Sequence, residues 1–174
     1  DLGVEHHNAG RLPEAESIYQ QILKSEPKQH IALHLLGVIA HQVGKINIAV
    51  ELIGKALAIK PDYAEAHSNL GVVLQELGKI DDAVASYNKA LAIKPDYAEA
   101  HSNLGAALHS YGRRSEALDH FKRSLELERG DNPINPNHES FRFINKAKMN
   151  HDIEQFRYLA SIGHETERFQ ALVK

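Results

Sequence analysis

The chain has 174 residues, of which 43% are hydrophobic and 25% are charged, so one packed domain or one short repeat array fits its length. Lys plus Arg (20) against Asp plus Glu (23) leaves a formal charge of -3, which argues against nucleic-acid binding because that needs a basic stripe. With no cysteine and no apolar run near the roughly 20 residues of a membrane span, disulfides and membrane insertion are excluded, and we expect a cytoplasmic protein.

A period of 34 residues runs through most of the chain. Residues 55–71 recur unchanged as residues 89–105, and 89 minus 55 is 34. The same offset connects four further sets: Gly3, Gly37, Gly71 and Gly105; Gly10, Gly44, Gly78 and Gly112; Ala15, Ala49, Ala83 and Ala117; and Pro27, Pro61 and Pro95. Self-similarity at this period predicts a stack of two-helix units over residues 1–29, 30–63, 64–97 and 98–131.

Each small residue has a physical role in such a unit. Gly71 in the first helix and Ala83 in the second let two backbones approach, while Tyr87 fills the core beside them. Gly78 is expected in the turn, where a positive φ suits glycine. Pro61 should end the second helix of the preceding unit.

An aspartate follows both Pro61 and Pro95, which suggests a helix cap. Asp62 and Asp96 are expected to cap the next helix, with Glu65 and Glu99 completing a pattern like the capping box.

The spacing of these landmarks resembles the tetratricopeptide-repeat family. The resemblance implies an all-α, right-handed superhelical solenoid of antiparallel helix pairs. The sequence departs from the family at the fourth repeat position, where Leu33, His67 and His101 replace the usual tryptophan.

The pattern stops after residue 131. Residues 132–137 read as a turn-rich linker. Residues 138–174 show helical periodicity without the glycine and alanine landmarks, and we expect them to cap the exposed edge of the last repeat. Alternatives are that they fold into the groove of the array or form a dimer contact.

Nothing in the chain predicts catalysis, a cofactor or a metal site. No Ser-His-Asp set, phosphate-binding loop or zinc-protease motif is present. His30 and His34 have the spacing of two metal ligands on one helix, but no third ligand is placed beside them by sequence. His67 and His101 are interpreted as core or half-buried residues.

The family resemblance implies that a partner binds along the concave face, formed by the first helices. Six positions of each first helix line that face, and they give the candidate peptide-binding residues His34, His41, Ser68, Asn69, Val72, Gln75, Ser102, Asn103, Ala106 and His109.

Two subfamilies suggest different ligands for this groove. The clamp that grips the C-terminal carboxylate of chaperones needs lysine and arginine; here only Asn69 fits and Glu99 would repel the ligand, so this partner is not expected. The repeats are more similar to those of O-linked N-acetylglucosamine transferase, whose asparagine ladder holds a peptide by its backbone. Asn69 and Asn103 match that ladder, and Leu35 interrupts it.

The sequence therefore predicts a non-catalytic scaffold that binds an extended peptide or a protein. The alternative is the substrate-recruiting part of a larger enzyme, such as a glycosyltransferase or an oxygenase. The chain begins inside a first helix, so we expect it to be a fragment.

The capping hypothesis predicts the effect of deleting residues 138–174. Exposure of the apolar edge of the last repeat should lower the melting temperature, because each large apolar side chain that loses its cover costs about 1.5–3 kcal/mol. Thermal unfolding of the shortened and the complete chain checks this, and equal melting temperatures would contradict a capping role.

Overall fold

The protein is seen in a computed structural model that describes residues 2–129. Eight helices make up this part of the chain, and it contains no strand: α1 (Leu2–Asn8), α2 (Leu12–Ser25), α3 (His30–Gln42), α4 (Ile46–Ile59), α5 (Ala64–Glu76), α6 (Ile80–Ile93), α7 (Ala98–Ser110) and α8 (Arg114–Arg129). The predicted linker (132–137) and the predicted capping helices (138–174) lie outside the described residues.

The helices pack as four successive pairs. Within each pair, α1 contacts α2, α3 contacts α4, α5 contacts α6 and α7 contacts α8. The second helix of each pair also contacts the first helix of the next, which gives the contacts α2 with α3, α4 with α5 and α6 with α7. This arrangement confirms the predicted all-helical solenoid.

A glycine in the left-handed conformation closes the first helix of every pair. In the turn after α3, the N–H of Gly44 donates to the carbonyl of His41 at 2.9 Å, and the N–H of Lys45 donates to Ala40 at 2.8 Å. These two bonds form a Schellman motif, which satisfies carbonyls at the helix end. The φ values are 73°, 76°, 72° and 81° at Gly10, Gly44, Gly78 and Gly112, as predicted.

The second helices end just before the prolines, also as predicted. Helix α4 ends at Ile59, and Lys60 is its C-cap. The predicted caps of the following helices are wrong, however. Tyr63 and not Asp62 stands at the N-cap of α5, and it makes no side-chain cap bond; Tyr97 stands in the same place before α7.

The reason is that each aspartate stands one residue too early to reach the free amides of the helix. At the equivalent place before α3, the Oε1 atom of Gln29 does accept a hydrogen bond from the N–H of Ala32, at 2.7 Å.

The buried core is divided among the contacts between neighbouring pairs. One cluster joins Tyr19 of α2 to Leu36 and Ile39 of α3. The second and third repeats make the next cluster through Ile53 and Val73. The third cluster is the largest: Leu74, Ala83, Tyr87, Leu104, Ala107, Leu108, Ala117 and Phe121. Every cluster spans two repeats, so each repeat depends on its neighbour for burial.

Within a pair, a glycine of the first helix faces a large side chain of the second. A Cβ atom added to Gly71 would lie 2.5 Å from Cε1 of Tyr87, which is fully buried. Gly37 faces Ile53 and Gly105 faces Phe121 in the same way. This confirms that glycine is needed for the close approach of the two helices.

Two glycine-to-alanine changes test this contact. Gly71→Ala should destabilise the fold by about 1–3 kcal/mol, because the added methyl group overlaps the ring of Tyr87 in a close-packed core. Gly54→Ala is the matched control: this helical glycine has open space around its Cβ direction, so alanine should stabilise by about 0.5–1 kcal/mol. Urea unfolding measures both, and equal effects would contradict the packing argument.

Candidate functional site

The first helices form the inner layer of the solenoid. Across repeats, α3 contacts α5 and α5 contacts α7, whereas the second helices α2, α4, α6 and α8 make no contact with one another. Stacked pairs that touch on one side and separate on the other curve toward the touching side. The first helices therefore lie on the concave face, where the sequence places the candidate residues.

Side-chain hydrogen bonds connect consecutive first helices along this face. His7 Nε2 lies 3.0 Å from Oε1 of Gln42, and His41 Nε2 lies 2.8 Å from Oε1 of Glu76. The two partners are separated by 35 residues in each case, one more than the repeat. The contacts thus form a ladder between the end of one first helix and the end of the next.

A third contact with the same separation is buried. The Nδ2 group of Asn69 lies 2.8 Å from Nε2 of His34, and Nδ1 of His34 lies 3.0 Å from the hydroxyl of Tyr63. His34 is only 4% exposed. Burial is the main cause that lowers the pKa of His34 to about 4; His30 lowers it further and Glu65 opposes the change. A neutral imidazole therefore links α3, α5 and the turn between their repeats.

The corresponding place in the next repeat has no imidazole. Ser68 stands there and is fully buried. The hydroxyl of Tyr97 donates to Oε2 of Glu99 at 3.3 Å, and burial together with this carboxylate raises the pKa of Tyr97. Asn103, the counterpart of Asn69, is half-buried, and its amide forms no hydrogen bond within residues 2–129.

The ten candidate residues thus fall into two groups. His34, Ser68 and Ser102 are buried between helices, so they lie beneath the surface of the groove. The others are half-buried or exposed on the inner layer: His41, Asn69, Val72, Gln75, Asn103, Ala106 and His109. Among these, Gln75 accepts a hydrogen bond from the hydroxyl of Tyr87 at 3.2 Å, which fixes its orientation.

Two histidines outside the groove join one repeat to the next. The Nε2 atoms of His67 and His101 lie 2.8 Å and 3.0 Å from the carbonyl oxygens of Pro61 and Pro95. Their role was not predicted, although their spacing of six residues from each proline was visible in the sequence.

His101 has a second imidazole contact, with Nδ1 of His120 at 3.0 Å. Burial is the main cause that lowers the pKa of His120. Over the described range, no three His, Asp or Glu side chains are grouped so as to hold a metal ion.

A stack of helix pairs with a polar inner groove is the architecture of a scaffold for protein interactions. The chain belongs to the tetratricopeptide-repeat family. The model for the TPR repeat matches residues 37–78 and 74–112, and the model for the tetratricopeptide repeat matches residues 98–131. No curated protein matches the chain.

Solved structures with the same fold include two that share the repeat architecture over most of their length. MamA protein is 27% identical, with 78% of this chain and 76% of that chain covered and a TM-score of 0.65. MamA AMB-1 is 30% identical, with coverage of 74% and 76% and a TM-score of 0.63.

The O-GlcNAc transferase of Thermobaculum terrenum is a third similar structure. A mutant of it is 34% identical, with 70% of this chain covered and a TM-score of 0.64. The chain spans 24% of that enzyme. The predicted similarity of the repeats to those of this transferase is thereby confirmed.

No helix within residues 2–129 is long and apolar enough to cross a membrane.

The buried His34 makes stability depend on pH. Its folded pKa of about 4 lies below the ordinary value of 6.5, so the unfolded chain binds the extra proton first. Stability is therefore lost as the pH falls from about 7 toward 4, by up to about 3 kcal/mol from this residue.

The variant His34→Ser, which copies Ser68, tests this dependence. At pH 7.5 the variant should be less stable by about 1–3 kcal/mol, because it loses hydrogen bonds and leaves a cavity. The difference between the two proteins should shrink as the pH approaches 4.5, since only the wild type has this imidazole to charge. Urea unfolding over this range measures it, and a constant difference would contradict the role of His34.

Proposed function

We propose that this chain is a non-catalytic scaffold that binds an extended polypeptide segment in its concave groove. The observation that carries the proposal is the amide of Asn103, which makes no hydrogen bond within residues 2–129 and is half-buried on the inner layer, one repeat away from Asn69. An asparagine side chain offers both a donor and an acceptor, so it can pair with one peptide unit without reading the side chains of the ligand.

The two asparagines contribute differently. Asn69 already donates to His34, so one N–H and the amide oxygen remain for a ligand. No residue of the described chain occupies the amide of Asn103, so its donor and its acceptor can both bind a ligand. The half-buried Val72 and Ala106 follow the two asparagines by three residues on the same helix, so they form an apolar floor beside the amides, and the extended ligand lies across it.

A further candidate is the recruiting region of a larger enzyme. The similarity to the repeats of the Thermobaculum terrenum O-GlcNAc transferase, of which this chain spans 24%, favours it. In that case the groove delivers a protein substrate to a catalytic domain encoded beside these repeats. The complete open reading frame tests this proposal: a reading frame without a glycosyltransferase or other catalytic domain excludes it.

Binding in the groove can be measured with a peptide selected from a random library of displayed 12-residue peptides. Asn103→Ala should weaken binding of the selected synthetic peptide by about 5- to 150-fold, since two neutral hydrogen bonds contribute about 1–3 kcal/mol. The measurement is titration calorimetry with the wild type and the variant.

The matched control is Asn88→Ala, which removes the same amide from the exposed, outer surface of α6. It should leave the affinity unchanged. Asn69→Ala serves less well as a probe, because it also removes the partner of the buried His34. If Asn88→Ala weakens binding and Asn103→Ala does not, the ligand lies on the outer surface. If no displayed peptide is enriched over the support alone, the proposal of a peptide groove is wrong.

A further inference from the structure

The charges of the solenoid are segregated between its two layers. The first helices α1, α3, α5 and α7 contain no lysine or arginine. Every lysine and arginine of residues 2–129 lies in a second helix or in a turn. Carboxylates are present in the inner layer at Glu5, Glu65, Glu76 and Glu99. At neutral pH the concave layer is therefore anionic, although the whole chain has a formal charge of only -3.

Two of these carboxylates lie one repeat apart at the same end of the groove. Glu65 lies in the first turn of α5, the first helix that contacts both α3 and α7. Glu99 accepts the hydrogen bond from Tyr97. Burial is the main cause that raises the pKa of Tyr97, and the charges of Glu99 and Glu65 raise it further.

The cations of the protein neutralise this pair poorly. Nζ of Lys94 lies 4.0 Å from Oε1 of Glu65, and both side chains are nearly half exposed. An exposed ion pair at this distance contributes little free energy. Within the described chain, Glu99 has no cation at ion-pair distance. Farther along the groove, Glu76 is paired with His41. Nζ of Lys94 also lies 4.9 Å from the centre of the Tyr97 ring, so two carboxylates and one cation surround this tyrosine and leave a net negative charge there.

We propose that the occupant of the groove is a basic extended segment, with lysine or arginine at every third residue. This inference rests on the proposed function and adds the chemistry of the partner. Adjacent helices lie about 10 Å apart, and an extended chain advances about 3.3 Å per residue, so three residues span one repeat. Cations at that spacing contact Glu65 and Glu99 in turn, while the peptide backbone pairs with Asn103.

The test uses the peptide enriched from the displayed library and a copy in which each lysine and arginine is glutamine. At 50 mM salt the basic peptide should bind the wild type more tightly than its glutamine copy. The double variant Glu65→Gln plus Glu99→Gln should weaken binding of the basic peptide about 2- to 25-fold, as expected for two exposed ion pairs. At 300 mM salt the difference between the two peptides should become smaller, because exposed charges are screened.

The matched control is Asp82→Asn, which removes one carboxylate from the outer helix α6. It should not change the affinity of the basic peptide. If both peptides bind equally well and Asn103→Ala still weakens their binding, the proposal of a basic partner is wrong. The proposal of a peptide-binding groove is then retained. Enrichment of acidic peptides also overturns it. If no peptide is enriched at all, the groove itself is wrong and this inference with it.

Discussion

The close approach of two helices at a glycine is the constraint on which the remaining structure depends. Gly71 has no side chain because the ring of Tyr87 occupies the space where a Cβ atom would lie. Gly37 against Ile53 and Gly105 against Phe121 repeat the same contact in the neighbouring pairs. Regular pairs can stack with a regular offset, and that offset brings the first helices into contact while the second helices stay apart.

The inner layer built in this way carries the polar side chains of the groove. Its histidines pair with residues of the next first helix, so the groove is organised by contacts between repeats. The second helices, with the turns, carry all the lysines and arginines of the described chain. The glycine contacts within each pair are thereby separate from the exposed residues of the inner layer, and those residues can vary in sequence while the glycine contacts remain.

The sequence predicted those features that depend on local backbone geometry. Gly44 and Gly78 were assigned correctly because a positive φ at the end of a helix strongly favours glycine. Pro61 was assigned correctly because proline opposes a continuing helix. The predicted N-cap residues were wrong by one position, because an N-cap is defined by the backbone amides that its side chain can reach. The burial of His34, Ser68 and Ser102 could not be predicted, because it depends on how closely neighbouring first helices pack. The pairing of His34 with Asn69 joins two different repeat positions, so the period alone could not indicate it.

The identity of residues 55–71 and 89–105 has a consequence for how the chain reaches this fold. Both copies hold the end of a second helix and most of the next first helix, so during folding each can dock where the other belongs. Misassembly between alike units is a characteristic failure of repeat proteins. The neighbours that differ between the copies select the correct docking. Glu76 contacts His41, whereas an exchange of the two copies would bring Ser110 to that place. The few residues that differ between the repeats thus determine where each of the two identical segments docks.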